Sequence, residues 1–531
     1  MNLLNKPIMI IGSSICALNI AKELLLEGKD IIIVSKEKES SSSVEAFKDL
    51  DIEVDHIISG TKITSCNGTF GNFKIIMEKT GESFSKEVSG IIIAEDYERK
   101  TNYLDYNIKA SDNILSLSSL AESDGNLKST IKTLPPGGKI VFLTGIGYEN
   151  NPVITKEIML AALKLQTEFN RQTYIFTNNL KVAENGLEKL YRETKESGAI
   201  YFKFTDSIPT VKQDNKGQIT IEFIDEITHH NFRISPALTI IDETISPSKY
   251  LIKLAAIFKL HTGADGFLQT GNVHRKIVYT NRKGILAAGP SRTVLNAAGN
   301  KIDSVNAISF MVGSEAGIDN IQSATAEINK SACIRCLTCY RSCPYRAIDL
   351  DTRPVVMPYS CEGCGICLAE CPRGAISIKF PDNRNIQDQI KQYSDTQYEK
   401  LSSPLIIAFC CSRSASRAKE HALNMGFNLP QNLKVVEFPC SGLISTEYIL
   451  SAFLSNAEGV LVLTCHKGNC HSEKGNVFAA NRVEQLKAMF ESMNINKECL
   501  EINTLASNMG YEFAQIVNKF EDKIITLRQS S

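Results

Sequence analysis

Apolar runs and helix-like spacings alternate from the beginning of the chain. A four-residue apolar run, Ile8–Ile11, precedes a glycine turn, a helix pattern over residues 17–27 and a second apolar run over 31–34. Short apolar runs bounded by turns are typical of buried strands, whereas apolar residues three and four apart are typical of helices. Gly28 marks the end of the helix. This order predicts a βαβ unit of a doubly wound parallel sheet.

The same alternation predicts strands and helices in later stretches, so the fold class is α/β. Residues 198–242 alternate apolar and polar positions, which predicts an antiparallel excursion that includes Ile219–Ile224. The other predicted strands cover residues 90–94, 139–144, 172–177, 284–289, 405–409, 434–438 and 459–463, and the other predicted helices cover 155–170 and 303–313.

The pattern divides the 531 residues into four parts. We expect a doubly wound domain over 1–324, a small cysteine-dense α+β domain over 325–380 and an open α/β domain over 404–531. Between the last two, residues 381–403 are rich in Asp, Asn, Gln, Lys and Ser and show little periodicity. We expect this stretch to be a surface linker or a wrapping arm.

Composition is that of a globular protein and excludes two classes of partner. Hydrophobic residues make up 43% and charged residues 22%, and the formal net charge is −1. Without a positive field, the chain is not expected to bind nucleic acid or an anionic membrane. No apolar run reaches the ~18 residues of a membrane helix. A polar turn also interrupts the apolar amino-terminal segment, unlike a secretory leader. We therefore expect a cytoplasmic protein without a membrane span.

The cysteines carry the clearest chemical signal. Thirteen of the sixteen lie between Cys333 and Cys470, where the pattern C-x2-C-x2-C-x3-C-P occurs twice, 28 residues apart. Such clustering in a long chain indicates metal ligation rather than a disulfide framework. The two copies are Cys333, Cys336, Cys339 and Cys343, and Cys361, Cys364, Cys367 and Cys371.

This segment resembles the bacterial-type two-cluster ferredoxin domain over its whole length. In that family, three cysteines of one copy and the last cysteine of the other bind each [4Fe-4S] cluster. A pair of zinc knuckles is the alternative, and eight cysteines at this spacing fit it poorly. The expected ligand sets of the two [4Fe-4S] clusters are Cys333, Cys336, Cys339 and Cys371, and Cys361, Cys364, Cys367 and Cys343.

Five further cysteines follow the predicted strands of the final domain. The carboxyl ends of parallel strands meet at one edge of a sheet. Four thiolates at this edge suit a [2Fe-2S] cluster, and zinc in the same pocket is the alternative. His466 and His471 each follow a cysteine directly, so we expect them to hydrogen-bond around the ligands rather than to bind iron. The candidate ligands are Cys410 or Cys411, together with Cys440, Cys465 and Cys470.

Residues 404–518 resemble the delta subunit of methyl-viologen-reducing hydrogenase, which couples hydrogenase to heterodisulfide reductase through a [2Fe-2S] centre. The family usually has another cysteine where Ser414 stands in this sequence. Because that cysteine is missing here, the resemblance favours Cys411 over Cys410 as the first ligand. The motifs that carry the resemblance are Phe409-Cys410-Cys411, Cys440-Ser441-Gly442, the run from Gly459 to Cys465-His466, and Gly468-Asn469-Cys470-His471.

The first glycine turn stands where a dinucleotide-binding fingerprint belongs. In G-x-G-x-x-G/A the first glycine forms the turn, the second admits the pyrophosphate and the last small residue packs the helix on the strand. Gly12 and Ala17 fit the outer positions, whereas Ser14 adds a side chain at the middle one. Ser35 and Lys36 stand where an acidic residue would hold the ribose. The motif alone leaves open an inherited fold without a cofactor.

Residues 1–320 resemble the flavin-containing A component of heterodisulfide reductase and its relatives in quinone-interacting oxidoreductases of sulfate reducers. The supporting stretches cover residues 265–267, 272–274, 284–289 and 303–305. The family often carries cluster-binding cysteines in this portion, yet this chain has no cysteine from residue 67 to 332. The resemblance implies FAD in contact with Gly12, Ser13, Ser14, Ala17 and Gly289.

Together these features predict an iron–sulfur flavoprotein that relays electrons to other redox subunits. Those partners could be heterodisulfide-reductase-like, hydrogenase, formate dehydrogenase or quinone-linked subunits. No catalytic constellation stands out, so we expect substrate chemistry to belong to the partners. A flavin-free relay and scaffold is one alternative. An independent NAD(P)H oxidoreductase is another, for which Gly145-Ile146-Gly147 is only a fragment of a second fingerprint.

Overall fold

The computed structural model describes residues 6–36, 56–121, 131–147, 151–269, 276–316, 325–380, 385–395 and 403–530, apart from the single positions 181, 183, 216, 351, 358 and 359. The motif at 272–274 therefore lies outside the described residues. The chain divides into two compact units. The first comprises Met1–Glu95, Ile252–Thr293 and Asn300–Ser531, and the second comprises Asp96–Leu251 and Val294–Gly299.

The first unit opens with a five-stranded parallel sheet. Its central strand, Ile8–Ile11, is completely buried and pairs with a strand on either side. Helix Ile15–Leu26 packs on the sheet and ends before Gly28, whose φ of +71° favours a residue without a Cβ. The predicted strand–helix–strand unit is thus present. The strand order is Ile285–Ala287, Gly90–Ile93, Ile8–Ile11, Ile31–Val34 and Ile57–Ile58.

Several smaller elements complete this doubly wound part. An antiparallel sheet precedes the strand Gly90–Ile93, and its strands are Lys62–Thr69, Asn72–Lys79 and Glu82–Val88. The late strand Ile285–Ala287 runs into a single 3₁₀ turn, Gly289–Ser291. Helices Lys249–Phe258 and Ala297–Ala316 flank this strand in sequence, and the second of them contains the predicted helix over 303–313.

Two short antiparallel ribbons frame the cysteine repeat. Thr325–Ile328 pairs with Ile376–Lys379, and Ile348–Leu350 pairs with Pro354–Val356. Helices Thr338–Ser342 and Ile366–Ala369 occupy equivalent positions in the two copies of the repeat. This part, called the ferredoxin insert below, has the small α+β architecture that the repeat predicts.

A four-stranded parallel sheet forms the terminal domain. Three of its strands were predicted, whereas Leu500–Thr504 was not, because its polar residues obscure the strand pattern. The strand order is Leu433–Phe438, Ile406–Cys411, Gly459–Thr464 and Leu500–Thr504. The α-helices are Ala415–Asn424, Thr446–Leu454, Gly475–Ser492 and Gly510–Ser530, and the 3₁₀ turns are Ser441–Leu443 and Lys497–Cys499.

Part of the expected linker is a helix, Ile386–Asp395. Ile386 and Ile390 are buried and belong to the same apolar core as Leu405 and Val436 of the terminal domain. Two apolar anchors four residues apart place one helix face on this core. Two apolar residues among polar neighbours do not produce a recognisable helical periodicity, so the helix was not predicted from the sequence.

The second unit is an α/β unit within the region predicted as one doubly wound domain. Its sheet is parallel and includes the predicted strands near residues 140 and 173. The predicted excursion is an antiparallel sheet of Thr210–Gln213, Ile219–Ile224 and Asn231–Ile234. The strand order of the parallel sheet is Ile200–Lys203, Thr173–Thr177, Ile140–Leu143, Leu238–Ile241 and Ile114–Ser116. Two further strands, Glu98–Thr101 and Glu243–Ser246, pair with each other. The helices are Leu117–Ala121, Pro152–Thr167 and Leu187–Glu196.

Across the part of the chain that the structure describes, no helix has both the length and the hydropathy that a bilayer span requires.

We expect Ile390→Ala to destabilise the terminal domain by about 2–5 kcal/mol, because it removes a fully buried side chain from the core. Chemical denaturation of the full chain, followed by far-ultraviolet circular dichroism, measures the effect. Gln387→Ala on the exposed side of the same helix is the matched control and should change stability by less than about 0.5 kcal/mol. Equal effects of the two substitutions would contradict packing of this helix on the domain.

Candidate metal centres and flavin site

Four thiols from both copies of the repeat surround one hollow in the ferredoxin insert. We call Cys333, Cys336, Cys339 and Cys371 the first thiol set. They line a hollow of about 350 Å³, partly open to solvent, together with apolar side chains such as Ile328 and Ile376. Three of the thiols come from one copy, and Cys371 comes from the other. The arrangement brings together the four residues that the sequence assigns to one [4Fe-4S] cluster.

The remaining cysteines of the repeat surround a second hollow. Cys343, Cys361, Cys364 and Cys367, called the second thiol set, line a space of about 350 Å³. All four are buried. Burial raises the pKa of Cys364 and Cys367 above that of an exposed thiol. Because only a thiolate ligates iron, the binding of a metal here must displace protons from these groups.

The two copies share one backbone geometry around their cysteines. Left-handed φ values occur at 335 and 363, at 337 and 365, and at 346 and 374, three pairs related by the repeat. The Ala347 N–H donates to Cys343 Sγ at 3.4 Å, and the Ala375 N–H donates to Cys371 Sγ at 3.3 Å. These N–H···S bonds stabilise negative charge on sulfur, as cluster ligands require.

A third set of thiols lies at the carboxyl edge of the terminal sheet. Cys411, Cys440, Cys465 and Cys470, the terminal thiol set, line a hollow of about 460 Å³. Cys410 instead lies in the apolar core with Ile406 and Ala408. Successive residues of a strand face opposite sides of the sheet, which separates Cys410 from its neighbour Cys411.

Hydrogen bonds favour negative charge on two members of this set. Bonds from the Cys440 and Cys465 thiols lower the pKa of Cys470, and a bond from Cys465 lowers that of Cys411. The first turn of helix Gly475–Ser492 also faces the set. A Cβ on Gly475 would collide with Cys440 Sγ and lie 3.4 Å from Cys470 Sγ. The positive end of the helix dipole therefore approaches the sulfurs closely.

The two histidines that directly follow cysteines in the terminal domain have other partners. His466 contacts Thr504 Oγ1 at 2.8 Å through Nδ1 and Met509 Sδ at 3.3 Å through Nε2. His471 Nδ1 lies 3.3 Å from Tyr345 Oη. Among the described residues, no three His, Cys, Asp or Glu side chains converge closely enough to hold a single metal ion.

The second and terminal thiol sets are neighbours. Tyr345, which lines the second hollow, lies within hydrogen-bonding distance of His471, which lines the terminal hollow, and of Ser472 Oγ at 3.2 Å. A Cβ on Gly442 would come within 2.5 Å of Ile366, and a Cβ on Gly365 would collide with Leu443. The loops that carry the two sets are thus packed directly on each other.

A buried arginine holds these loops together. Arg482 donates to the carbonyl oxygens of Gly442, at 2.9 Å, and Ile444. Its Nε lies 3.1 Å from Glu370, the neighbour of Cys371. Neither Arg482 nor Tyr345 belongs to a cysteine motif, so no local sequence signal pointed to either role.

The glycine turns of the first sheet meet at its carboxyl edge. Gly12 has a φ of +117°, and a Cβ there would collide with the Ala94 carbonyl. Gly289 has a φ of +56°, and a Cβ there would lie 2.7 Å from Cys16. Both positions therefore need glycine. Without a Cβ at these turns, the pyrophosphate of a dinucleotide can approach the backbone closely.

Two polar atoms beside Gly289 support a ligand site. Asp303 Oδ2 accepts bonds from the Gly289 N–H at 2.9 Å and from Arg292 Nε at 2.7 Å. Its other oxygen, Oδ1, is buried without a hydrogen-bond partner among the described residues, as is Asn300 Oδ1. Buried acceptors of this kind normally have a donor, so the edge suits a ligand with hydroxyl groups.

Ser14 lies differently from the position expected. Its hydroxyl donates to the Ala94 carbonyl at 2.6 Å and accepts from the Ala17 N–H at 3.2 Å, so it caps the helix. The side chain is buried, and its hydroxyl is engaged in these two bonds. The strand Ile31–Val34 is followed by Ser35 and Lys36, as the sequence indicated.

The glycine fragment of the second unit is closely surrounded. The Gly145 N–H donates to Asp242 Oδ2 at 2.9 Å, and a Cβ on Gly145 would collide with Asn178. A Cβ on Gly147 would lie 3.1 Å from Asp105. Carboxylates at these positions disfavour a phosphate group beside this turn.

Two protein families match parts of this chain. Residues 406–528 match the family of the methyl-viologen-reducing hydrogenase delta subunit, and residues 325–378 match the 4Fe-4S dicluster domain. The D-type iron-sulfur subunit of the F420-non-reducing hydrogenase of Archaeoglobus profundus is 31% identical over 121 residues, which are 23% of this chain and 88% of that protein. Through its terminal domain, the chain belongs to the hydrogenase delta subunit family.

Most of the chain also resembles a second group of proteins. The A-type subunit of the ferredoxin:CoB-CoM heterodisulfide reductase of Methanosarcina mazei is 22% identical over 400 residues, which are 72% of this chain and 49% of that protein. The chain thus spans about half the length of these reductase relatives. Among solved structures, thioredoxin reductase of T. acidophilum aligns with 59% of this chain and 99% of that chain at 14% identity and a TM-score of 0.40.

We expect Cys440→Ala to abolish the terminal cluster and to lower the iron content by about two atoms per chain. Cys440 is one of four thiols around the hollow and has no cysteine neighbour in its segment. Iron and acid-labile sulfide analysis with electron paramagnetic resonance on anaerobically purified full chain measures the loss. Cys410→Ala is the matched control and should keep the iron, because Cys410 faces the core. Zinc without sulfide in the wild type would establish the zinc alternative.

Proposed function

We propose that this protein is an electron-transferring iron–sulfur flavoprotein subunit of a heterodisulfide-reductase-like complex. The observation that carries the proposal is the contact between the second and terminal thiol sets through Tyr345 and His471. The juxtaposition of the two sets suits a path for single electrons through the ferredoxin insert.

We propose two [4Fe-4S] clusters on the first and second thiol sets and one [2Fe-2S] cluster on the terminal set. Bound clusters supply one-electron oxidation and reduction at nearly fixed geometry. The chain contributes the thiol ligands and their N–H donors. It also contributes apolar walls that limit the access of water to the second and terminal sets. Through direct contacts within the chain, the terminal set neighbours the second set, and the second set neighbours the first set.

FAD at the edge formed by Gly12 and Gly289 is part of the proposal. The supporting observations are the two turns that exclude a Cβ and the oxygens of Asn300 and Asp303 that have no partner among the described residues. FAD would supply exchange between electron pairs and single electrons. A flavin-free relay is the second candidate, and the absence of an acidic residue directly after Val34 favours it.

The proposed partners are other redox subunits of the same complex. Relatives of the terminal domain are named as hydrogenase subunits, and relatives of the longer portion are named as heterodisulfide reductase subunits. Because the proposed cluster ligands must be reduced thiolates, we place the protein in the cytoplasm.

We expect Cys343→Ser to damage the cluster of the second thiol set and to spare the first. Cys343 follows three cysteines of the first set in sequence but lines the second hollow. Reduced-state electron paramagnetic resonance and iron analysis would report the change. Cys371→Ser is the mirror control and should damage only the first set. Loss of the same signal in both variants would contradict the crossed assignment.

We expect about one FAD per chain to be released by acid from protein purified without added flavin. Asn300→Leu should reduce this occupancy several-fold, because it removes an acceptor beside Gly289. Asn185→Leu, in the second unit and remote in sequence from this edge, is the control and should retain the flavin. Wild-type protein that binds iron but no FAD, even when FAD is supplied, would establish the flavin-free relay.

A further inference from the structure

The two copies of the ferredoxin repeat differ in exposure although their backbones match. Residues 334–336 are exposed, and Ile334 keeps 59% of its surface in water. In the second copy, residues 363–366 are buried against the terminal domain. The first thiol set therefore lies behind an open surface, whereas the second lies behind protein.

The two copies also differ in charge. Residues 328–348 contain four Lys or Arg residues and no Asp or Glu. The second copy carries Glu362 and Glu370, which pair with Lys283 and Arg482. Among the described residues, no ion pair involves Lys330, Arg335, Arg341 or Arg373. The surface over the first set is consequently basic; Glu327 and Asp349 flank this segment, but in the described part of the chain they form no ion pair with the four cations.

Backbone conformation gives an independent reason to assign a role to this surface. Arg335 and Leu337 adopt left-handed φ values of 58° and 61°, where the second copy has Gly363 and Gly365. A side chain is unfavourable in this conformation, and such strain persists mainly at functional positions. Arg335 therefore keeps an exposed side chain at a position where the second copy has glycine.

We propose that this surface, consisting of Ile334, Arg335, Cys336, Arg341 and Arg373, is the docking site of an acidic one-electron carrier protein. The proposal rests on the proposed function, because it needs a cluster on the first thiol set. Ile334 gives this surface an apolar centre, and the arginines around it are positively charged. The surface is therefore complementary in charge to a carrier whose redox group lies within an acidic face. On docking, one electron passes between the carrier and the first cluster, and no bond forms or breaks.

Stopped-flow oxidation of a reduced flavodoxin by the oxidised, cluster-loaded full chain tests the proposal. Flavodoxin is an acidic one-electron carrier without iron, so bleaching of the cluster absorbance of the full chain reports the electron that the chain accepts. The double variant Arg335→Glu with Arg373→Glu should lower the second-order rate constant at least tenfold at low ionic strength. It should also flatten the fall of the rate constant with added salt. The control variant Lys189→Glu with Arg192→Glu reverses exposed charges in the second unit and should retain the wild-type rate constant.

A second variant separates docking from folding. Arg335→Gly relieves the left-handed backbone and should hold the cluster at least as well as the wild type, yet it should still slow the flavodoxin reaction several-fold. An unchanged rate constant in both variants, with iron and sulfide retained, would overturn the docking site. A wild-type protein without iron on the first set would instead overturn the proposed function, so the two failures are distinguishable.

Discussion

The packing of the ferredoxin insert on the terminal domain determines how the thiol sets are arranged. Ile366 fits against Gly442, and Leu443 fits against Gly365, because neither glycine presents a Cβ. A side chain at either glycine would push the two loops apart. The hydrogen bonds of Tyr345 to His471 and Ser472, and those of Arg482 across the same seam, depend on this close approach. The proposed electron path and the packing of the two domains therefore share one contact.

Burial of many thiols constrains the same region. Desolvation, and to a smaller extent the neighbouring thiols, raise the pKa of Cys364 and Cys367, and neutral thiols are weak ligands. Nearby donors stabilise the thiolate forms. They are N–H groups at Cys343 and Cys371, thiol–thiol hydrogen bonds at Cys470 and a helix N-terminus at the terminal set. Iron would neutralise the remaining charge, so cluster binding and folding should be coupled in this part of the chain.

Periodicity and cysteine spacing predict much of this architecture, because both depend on local sequence. The first βαβ unit, the antiparallel excursion and three strands of the terminal sheet follow from apolar patterns. The repeat predicts which cysteines lie together. Long-range contacts escape this reasoning. Helix Ile386–Asp395, strand Leu500–Thr504 and the hydrogen bond from Ser14 to the Ala94 carbonyl depend on partners distant in sequence, and so does the separation of the second unit.

The duplicated repeat shows how identical ligands acquire different surroundings. Cysteine spacing fixes a common loop with left-handed residues at equivalent positions, whatever side chains they carry. In the second copy those residues are glycines, and neighbouring acids pair with Lys283 and Arg482, so the loop can be enclosed by protein. In the first copy, Arg335 and Leu337 occupy the same conformation, and the loop faces solvent. At Gly365 the terminal domain approaches so closely that a Cβ would collide with Leu443. The difference in sequence between the copies thus accompanies their difference in exposure and gives the insert an inner and an outer end.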